Sequence, residues 1–526
     1  MIYESPHPDV DIPDVSLPAF ILEDFEDRSA QPALIDGPTG RTLTYGELQK
    51  TIAACAGGLA AHGLEKGDVF AIYSPNLPEY AIAFYGVARA GGTVTTINPL
   101  YTADEAGRQL QDADAQYLLT VPPFLEKAEE AAAQAGIEEV FVFGDADGGT
   151  PFESLLHGDH PTPEVSITPE EDLVALPYSS GTTGLPKGVM LTHRNLVANI
   201  SQTLPVERLE DGEVTLGVLP FYHIYGMTII LSMALRCGAT VVTMPRFEME
   251  DFCGLVEEHG IESGYLVPPI IVGLAKSPVV DEYDLSSFDY ITSGAAPLGK
   301  EVAMACADRL DCMVKQGYGL TETSPVTHLV SRTDQNVKLD SVGHAVPNTE
   351  FRIVDVETHE DVDTGERGEI WIRGPQVMKG YLNRPDATAE TINEEEWLRT
   401  GDVAKIDEEE RVYIVDRVKE LIKYKGHQVA PAELEAILRS HPHIADAAVI
   451  PSPEEEAGEV PKAFIVKGPS ADGLTAAEVM GFVAERVAPQ KKIRRVAFVQ
   501  EIPKTASGKI LRRELVERER AEQAGA

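Results

Sequence analysis

Short apolar runs alternate with helical patterns through most of the first 310 residues of this 526-residue chain. The runs at 69–73 and 93–97 are rich in β-branched or aromatic residues, and the segment 79–89 between them has a helical pattern. Strand–helix alternation at this spacing predicts a mainly parallel sheet with helices on both faces. The alternation resumes at about residue 214, so we expect a second α/β layer packed on the first.

The pattern changes twice in the rest of the chain. After about residue 325, short strands separated by turns predict a small β-rich, barrel-like subdomain. Beyond Asp416, a basic cluster and an α+β pattern predict a separate small domain. Because the chain is too long for one core, we expect an α/β N-terminal domain over 1–416 and a C-terminal domain over 417–526. Residues 1 to about 45 are expected to form an arm with a short helix at 20–26.

The chain is strongly acidic, with 85 Asp and Glu against 44 Lys and Arg and a formal net charge of −41. The charge is spread along the whole chain, which makes nucleic acid and anionic membranes unsuitable partners. We interpret it as a halophilic adaptation, because at molar ionic strength the Debye length falls to about 3 Å and self-repulsion is screened. Binding to basic partners is the alternative, and it predicts acidic clusters at one place.

Five cysteines are present, and none forms a C-x-x-C pair. This is typical of a reducing compartment and gives no indication of a structural metal. No apolar run approaches the length of a membrane span, and the first residues show no secretory signal. We expect a cytoplasmic protein without stable membrane insertion, either a monomer or a homodimer.

The sequence YSSGTTGLPKG at 178–188 directly follows an apolar run at 173–176. It holds four Ser and Thr hydroxyls, three glycines and a lysine. Glycines let backbone N–H groups turn inward, and the hydroxyls and the lysine add further donors. An ordinary Ser/Gly surface loop is the alternative, but the lysine and the helical pattern that follows favour a phosphate-binding nest.

The segment GAAPLGK at 294–300 follows a predicted strand and fits the G-x-x-x-x-G-K pattern of a P-loop. That loop needs a Ser or Thr next for the magnesium ion, and here Glu301 stands instead. A carboxylate beside the phosphates would repel the nucleotide. We therefore reject the P-loop interpretation.

Four further motifs could carry chemistry, although each is weak alone. In QGYGLTE at 316–322, glycines flank a tyrosine whose face could approach a planar ligand, and the Thr and Glu suit phosphate and Mg²⁺. The segment PFYHIYG at 220–226 is an aromatic-rich strand end with one histidine. The turn TGD at 400–402 offers an aspartate, and PKTASGK at 503–509 is a second Gly/Ser loop with lysines.

Taken together and in this order, the motifs resemble one family over about 44–509. It is the family of AMP-forming acyl- and aryl-acid CoA ligases, which includes 4-coumarate–CoA ligases, fatty acyl-CoA synthetases, firefly luciferase and peptide-synthetase adenylation domains. The string YSSGTTGLPKGVMLTHRNL is close to a family signature. The strings SGAAPLGKE and VDRVKELIKYKGHQVAPAELE are most similar to the 4-coumarate ligase and luciferase branch.

The resemblance implies a site for ATP and Mg²⁺. The β- and γ-phosphates would be held by Ser179, Ser180, Gly181, Thr182, Thr183, Gly184 and Lys187. The adenine would lie against Gly294, Ala295 and Ala296, with the Tyr318 ring stacked on it, and Gln316, Gly317 and Gly319 would also belong to the cofactor-binding residues. Thr321 would touch the α-phosphate, Glu322 would bind Mg²⁺, and Asp402 would accept hydrogen bonds from the ribose hydroxyls with Arg417 close by.

The resemblance also implies a moving C-terminal lid. Lys509 on this lid would meet the substrate carboxylate and the α-phosphate, and residues 416–419, ending at Lys419, would form the hinge. Rotation would remove Lys509 and bring in the loop from Lys423 to Gly426 for the reaction with coenzyme A. His223 would gate the acyl pocket and the CoA channel, so the catalytic residues would be Lys509, His223, Thr321 and Glu322.

The implied activity is an ATP-dependent acid–CoA ligase acting on small molecules. A carboxylic acid and ATP would give acyl-AMP and pyrophosphate, and CoA would then give acyl-CoA and AMP. The acid would be a fatty acid or an aryl-propenoic acid such as 4-coumarate, in a pocket lined by Tyr222, Ile224, Tyr225 and Gly317. The alternatives are an adenylating enzyme that loads a carrier protein, an inactive binding protein on this fold, and light emission.

Overall fold

The computed structural model describes residues 1–179, 186–425, 427–454, 458–468, 471, 473–505 and 508–525. Their strands form four sheets. Two of these are large, mainly parallel sheets, which confirms the α/β fold that the strand–helix alternation predicts.

The first large sheet has eight strands. In spatial order they are Gly380–Tyr381, Lys187–Thr192, Leu173–Ser179, Thr93–Thr96, Val69–Tyr73, Ala115–Thr120, Val140–Val142 and Thr150–Pro151. The six strands from 173–179 onward pair in parallel, and the two at the other edge are antiparallel.

The second large sheet has nine strands. In spatial order they are His344–Ala345, Val326–Leu329, Met313–Gly319, Tyr290–Ser293, Ser263–Leu266, Val214–Gly217, Thr240–Thr243, Pro32–Asp36 and Thr42–Thr44. Its central pairs are parallel, and the pairs at both edges are antiparallel.

Two five-stranded sheets follow along the chain. The antiparallel one matches the predicted β-rich subdomain and contains Tyr3–Glu4, Glu350–Val354, Gly368–Arg373, Leu398–Ile406 and Val412–Arg417. The one near the C-terminus contains His427–Val429, Ile422–Tyr424, Gly458–Lys467, Ile444–Glu454 and Arg495–Phe498. This last sheet has its own apolar core, in which Ile422, Leu434 and Ile465 are fully buried.

Helices cover the faces of the sheets. They are Leu17–Leu22, Tyr45–His62, Pro78–Arg89, Ala103–Asp112, Leu125–Ala135, His193–Glu207, Ala234–Cys237, Met249–His259, Pro268–Lys276, Lys300–Leu310, Pro385–Thr391, Pro431–Ser440, Ala476–Ala484 and Arg512–Gly525. Several begin at a threonine whose hydroxyl accepts a hydrogen bond from the backbone N–H of the third helical residue. The side chain of that third residue in turn accepts a hydrogen bond from the backbone N–H of the threonine. Such reciprocal caps satisfy donors that a helix start leaves unpaired.

The first 45 residues do not form the arm that the sequence predicts. Their strands Pro32–Asp36 and Thr42–Thr44 extend the second large sheet, where the former pairs with Thr240–Thr243. The short helix is Leu17–Leu22, begins at the Ser16 cap and precedes the predicted position. The pairing crosses about 200 residues of sequence, so no local pattern reveals it.

Two elements near the site are notable. One is a π-helix over Tyr225–Met233, continued as the helix Ala234–Cys237. Wider helical turns of this kind are frequent at functional sites. The other is the strand Met313–Gly319, which ends with the glycine-flanked tyrosine of the segment 316–319.

Candidate active site

A cavity of about 820 Å³ lies where three of the sheets and the C-terminal segment meet. Ser179 comes from the first large sheet, Gly317 from the second, Arg417 from the antiparallel sheet and Lys509 from the C-terminal segment. The first two stand at or near the carboxyl ends of parallel strands, which is where open α/β sheets bind their ligands. A second cavity of about 360 Å³ shares Gly317, Arg417 and Lys509 with it.

Hydroxyls surround Glu322 at one end of the cavity. Ser179 Oγ donates to Glu322 Oε1 at 3.0 Å, and the Tyr381 hydroxyl donates to the same oxygen at 2.8 Å. The Lys187 ammonium lies 4.4 Å from the centre of the Tyr381 ring. A carboxylate in this setting suits Mg²⁺, which proteins hold through one or two carboxylates together with substrate phosphates.

Asp402 is held between an aromatic hydroxyl and a guanidinium. The Tyr318 hydroxyl donates to Asp402 Oδ2 at 2.7 Å, and Arg417 Nε lies 3.1 Å from Oδ1. Burial lowers the pKa of Arg417, but Asp402 and Glu420 outweigh it and raise that pKa overall. The aspartate, the tyrosine ring and a permanent cation are therefore fixed side by side.

Lys509 reaches the same cavity from the C-terminal segment. Burial and the neighbouring Arg417 lower the pKa of its ammonium to about 8, while Asp402, Glu420 and Glu322 oppose that shift. Lys509 is thus charged at neutral pH and lies within electrostatic range of the Asp402 and Glu322 carboxylates. It is well placed to stabilise an anion that enters between them.

His223 lines the cavity as a neutral ring. Its Nδ1 accepts a hydrogen bond from the Tyr225 N–H at 3.2 Å, so the ring proton sits on Nε2. Burial and the nearby Lys509 lower the pKa of His223 to about 4. The histidine can therefore donate a hydrogen bond at neutral pH but carries no charge.

The structure brings most of the predicted site residues together. Those that line the larger cavity are Ser179, Lys187, His223, Gly294, Ala295, Gly317, Tyr318, Gly319, Thr321, Glu322, Arg417, Lys419 and Lys509. Three more line the adjoining cavity, namely Ala296, Gln316 and Asp402. Lys423 is exposed and lines neither of the two cavities. Ser180, Gly181, Thr182, Thr183, Gly184 and Gly426 lie outside the described residues.

The predicted acid pocket is a slot lined by several aromatic residues. A side chain added at Gly294 would place its Cβ 2.7 Å from Tyr225 Cε1, and one added at Gly317 would come 3.0 Å from Leu329 Cδ1. Real Cβ contacts are not so short, so the ring and the leucine occupy the space that these glycines leave. The slot is further lined by Thr203, Glu207, Tyr222, Ile224, Ile229, Tyr265, Thr292 and Val326.

Several contributing residues escape the sequence analysis. Tyr381, which contacts Glu322, stands in no recognisable motif. The buried pair of Glu207 and Lys315 is likewise made by two residues 108 positions apart. In the C-terminal segment, Arg512 pairs with Glu420 and with Glu435, the latter at 2.7 Å. Each of these contacts joins distant parts of the chain, and no local signal marks them.

Comparison with known proteins gives a consistent result. The AMP-binding enzyme family matches residues 23–382, and the AMP-binding enzyme C-terminal domain matches residues 433–509. The chain belongs to this family, the AMP-forming acid–CoA ligases. It is therefore an acid–thiol ligase that uses ATP, Mg²⁺ and coenzyme A with a small-molecule carboxylic acid.

Individual relatives are similar over nearly the full length. The chain is 44% identical to a 4-coumarate–CoA ligase of Pinus taeda over 526 residues, covering 98% of this chain and 97% of the relative. It is 43% identical to 4-coumarate–CoA ligase 1 of Solanum tuberosum, covering 98% and 96%. The structure of ATP-bound MatB from Rhodopseudomonas palustris aligns with a TM-score of 0.86 at 27% identity, covering 96% and 99%. The anthranilate CoA ligase AuaEII in complex with anthranoyl-AMP shares the fold, with a TM-score of 0.90 at 24% identity, covering 98% and 99%.

Throughout the described part of the chain, no helix is long and apolar enough to span a bilayer. Within the same residues, no group of three or more His, Cys, Asp and Glu side chains could hold a metal ion.

Proposed function

We propose that this ligase activates an aryl-propenoic acid of the 4-coumarate type. The observation that carries this proposal is the aromatic lining of the slot, because the flat faces of Tyr222, Tyr225 and Tyr265 suit an aromatic ring. The relatives named as 4-coumarate–CoA ligases support the same choice. A fatty acid is the second candidate, but the Glu207 carboxylate in the slot wall would then face an alkyl tail, which has no hydrogen-bond donor to offer it.

In the first step, a carboxylate oxygen of the acid attacks the α-phosphorus of ATP, and the bond to the β-phosphate breaks with release of pyrophosphate. Two anions must approach, so stabilisation of charge and positioning supply most of the catalysis. Lys509 would meet the attacking carboxylate and the α-phosphate, and His223 would donate from Nε2. Thr321 would contact the α-phosphate.

The nucleotide would be held by the residues around Asp402 and Glu322. Asp402 already accepts from Tyr318 and pairs with Arg417, and a carboxylate has lone pairs left for the ribose hydroxyls. Ser179 and Lys187 would hold the β- and γ-phosphates, together with 180–184. Mg²⁺ held by Glu322 supplies charge neutralisation on the phosphates when bound.

In the second step, the CoA thiolate attacks the acyl carbon and AMP leaves. We infer a lid over 417–526 that turns at residues 416–419 between the steps, which removes Lys509 from the site. In the present structure Lys509 lines the cavity, an arrangement that suits the first step. Lys423, exposed here, and Gly426 would approach after the turn.

The substrate class is tested by measuring AMP release that depends on CoA. The panel is cinnamate-type acids and C4 to C16 fatty acids, assayed at low and at molar KCl. We expect the cinnamate-type acids to give the highest kcat/KM, and a preference for any fatty acid would refute the proposal. Replacing CoA by a carrier protein tests the alternative of carrier loading, which predicts AMP release with the carrier alone.

A cytoplasmic location fits the chemistry of the cysteines. All five are free thiols, and the three at Cys55, Cys253 and Cys306 are buried. We therefore infer a reducing compartment, where thiols persist.

A further inference from the structure

A buried ion pair lies in the wall of the acid slot and has no role in the two steps above. Lys315 Nζ lies 2.6 Å from Glu207 Oε2, and the side chains are 0% and 1% exposed. The Thr292 hydroxyl donates to Glu207 Oε1 at 3.1 Å, and Lys315 also donates to the Val330 carbonyl at 3.2 Å. Glu207 lines the cavity and Lys315 does not, so the carboxylate stands in front of its lysine.

The pair belongs to the deep part of the slot. Gly294 and Gly317 line the cavity at the ends of neighbouring strands. Thr292 comes two residues before Gly294, and Lys315 comes two residues before Gly317. Two residues span about 7 Å along a strand. Glu207 therefore faces the end of the bound acid that is remote from the reacting carboxylate of that acid.

The chemistry of Glu207 calls for a donor. An ionised carboxylate offers about four lone-pair sites, and the hydrogen bonds from Thr292 and Lys315 use two of them. Ile229 and Val326, which also line the slot, have side chains with nothing to donate. The Thr203 hydroxyl donates to the Asn199 carbonyl at 2.7 Å, and the Tyr265 hydroxyl lies 3.1 Å from that of Tyr290. Acceptor capacity thus remains on the slot side, and buried acceptors are costly when unpaired.

We propose that Glu207 determines specificity by accepting a hydrogen bond from a hydroxyl on the aromatic ring of the acid, at the position opposite its propenoate chain. This inference rests on the proposed function and names the hydroxylated members of that substrate class. Lys315 is a positioning residue that neutralises Glu207 and fixes its orientation. Removing either partner alone would leave the other charge buried and uncompensated.

The first test needs no variant. We compare kcat/KM of the wild-type enzyme for 4-hydroxycinnamate, cinnamate and 4-fluorocinnamate, whose fluorine is close in size to the hydroxyl but cannot donate. We expect the hydroxylated acid to be favoured by about tenfold or more, because a hydrogen bond to a charged group is at stake. Equal kcat/KM for the three acids would overturn the inference.

The second test replaces the pair together. In Glu207→Leu/Lys315→Met, the preference for 4-hydroxycinnamate over cinnamate should fall by about tenfold, through loss of the hydroxylated substrate while cinnamate is retained. The matched control is Glu213→Leu/Arg332→Met, which removes an ion pair of 2.9 Å that contacts the same Tyr290 ring but does not line the cavity. Its preference should equal that of the wild type.

The outcomes separate this inference from the function on which it rests. An unchanged preference in the Glu207 and Lys315 variant, with cooperative thermal unfolding retained, would overturn the role of the pair and leave the substrate class intact. If fatty acids alone are activated, both the substrate class and the inference fail. If the double variant does not fold, the comparison of the three acids on the wild-type enzyme decides.

Discussion

Replacing Lys509 by Ala should separate the two half-reactions. The ammonium of Lys509 lines the cavity near Glu322 and Asp402, and with a pKa of about 8 it is charged at neutral pH. His223 in the same cavity is neutral, because its pKa is lowered to about 4. Of these groups, Lys509 is therefore the cation that would stabilise charge where the carboxylate attacks.

The magnitude follows from the burial of the site. A preorganised donor in a water-excluded site contributes about 10²–10³-fold to kcat, or about 2.7–4 kcal/mol. Arg417 also lines the cavity, but it is paired with Asp402 at 3.1 Å and cannot replace the lysine. We therefore expect adenylate formation by Lys509→Ala to fall by about 10²–10³-fold.

Two assays measure the steps separately. Acid-dependent exchange of pyrophosphate into ATP reports adenylate formation, and release of AMP from supplied acyl-AMP with CoA reports thioester formation. The variant should lose the first and retain the second, because the proposed lid movement would withdraw Lys509 before the second step. The control Lys491→Ala, a lid lysine paired with Glu433 outside both cavities, should retain both. Equal loss of both steps in Lys509→Ala would refute the account of two lid positions.

Three further predictions concern the nucleotide, pH and salt. Asp402→Ala should reduce kcat/KM for ATP by about 10–100-fold through lost ribose contacts and an unpaired Arg417. The control Asp407→Ala breaks a similar hydrogen bond, to Tyr413 at 2.8 Å, and should leave kcat/KM for ATP unchanged. An unchanged kcat/KM in Asp402→Ala would contradict the role of Asp402. The pKa of Lys509 is lowered to about 8, so its charge is present below that pH and kcat/KM for adenylate formation should fall as pH rises through about 8. Lys509→Arg should abolish this pH-dependent fall, since a guanidinium stays charged. A fall in kcat/KM that persists in Lys509→Arg would argue against the role of the lysine. The free energy of unfolding should rise from 0.1 M to molar KCl, since the Debye length shortens from about 10 to about 3 Å around a net charge of −41, and a protein most stable in dilute buffer would oppose the salt hypothesis.

Local patterns were sufficient to predict much of the fold. Alternating runs such as Val69–Tyr73 and the helix that follows it at Pro78–Arg89 carry their signal within a few residues of sequence. The strand Pro32–Asp36 could not be assigned in the same way, because its partner Thr240–Thr243 lies far along the chain. Sheet edges depend on such distant pairing, and periodicity does not encode it.

The same distinction applies to the candidate site. A phosphate-binding loop needs glycines and hydrogen-bond donors close together in sequence, so the segments around Lys187 and Glu322 can be recognised from the sequence alone. Tyr381 reaches Glu322 across 59 residues, and Lys315 reaches Glu207 across 108. These contacts depend on how the sheets pack, and they became visible only in the structure. In our proposal the acid is recognised through such contacts, so the motifs predict the reaction and leave the acid open.

Trapping the intermediate tests the central claim most directly. The enzyme is mixed with 4-hydroxycinnamate, ATP and Mg²⁺ without CoA, and the bound products are identified by mass spectrometry. The account predicts one equivalent of 4-hydroxycinnamoyl-AMP with pyrophosphate released, and its conversion to the CoA thioester with AMP when CoA is added. Release of ADP and phosphate, or no acyl-adenylate under conditions where the thioester forms, would contradict it.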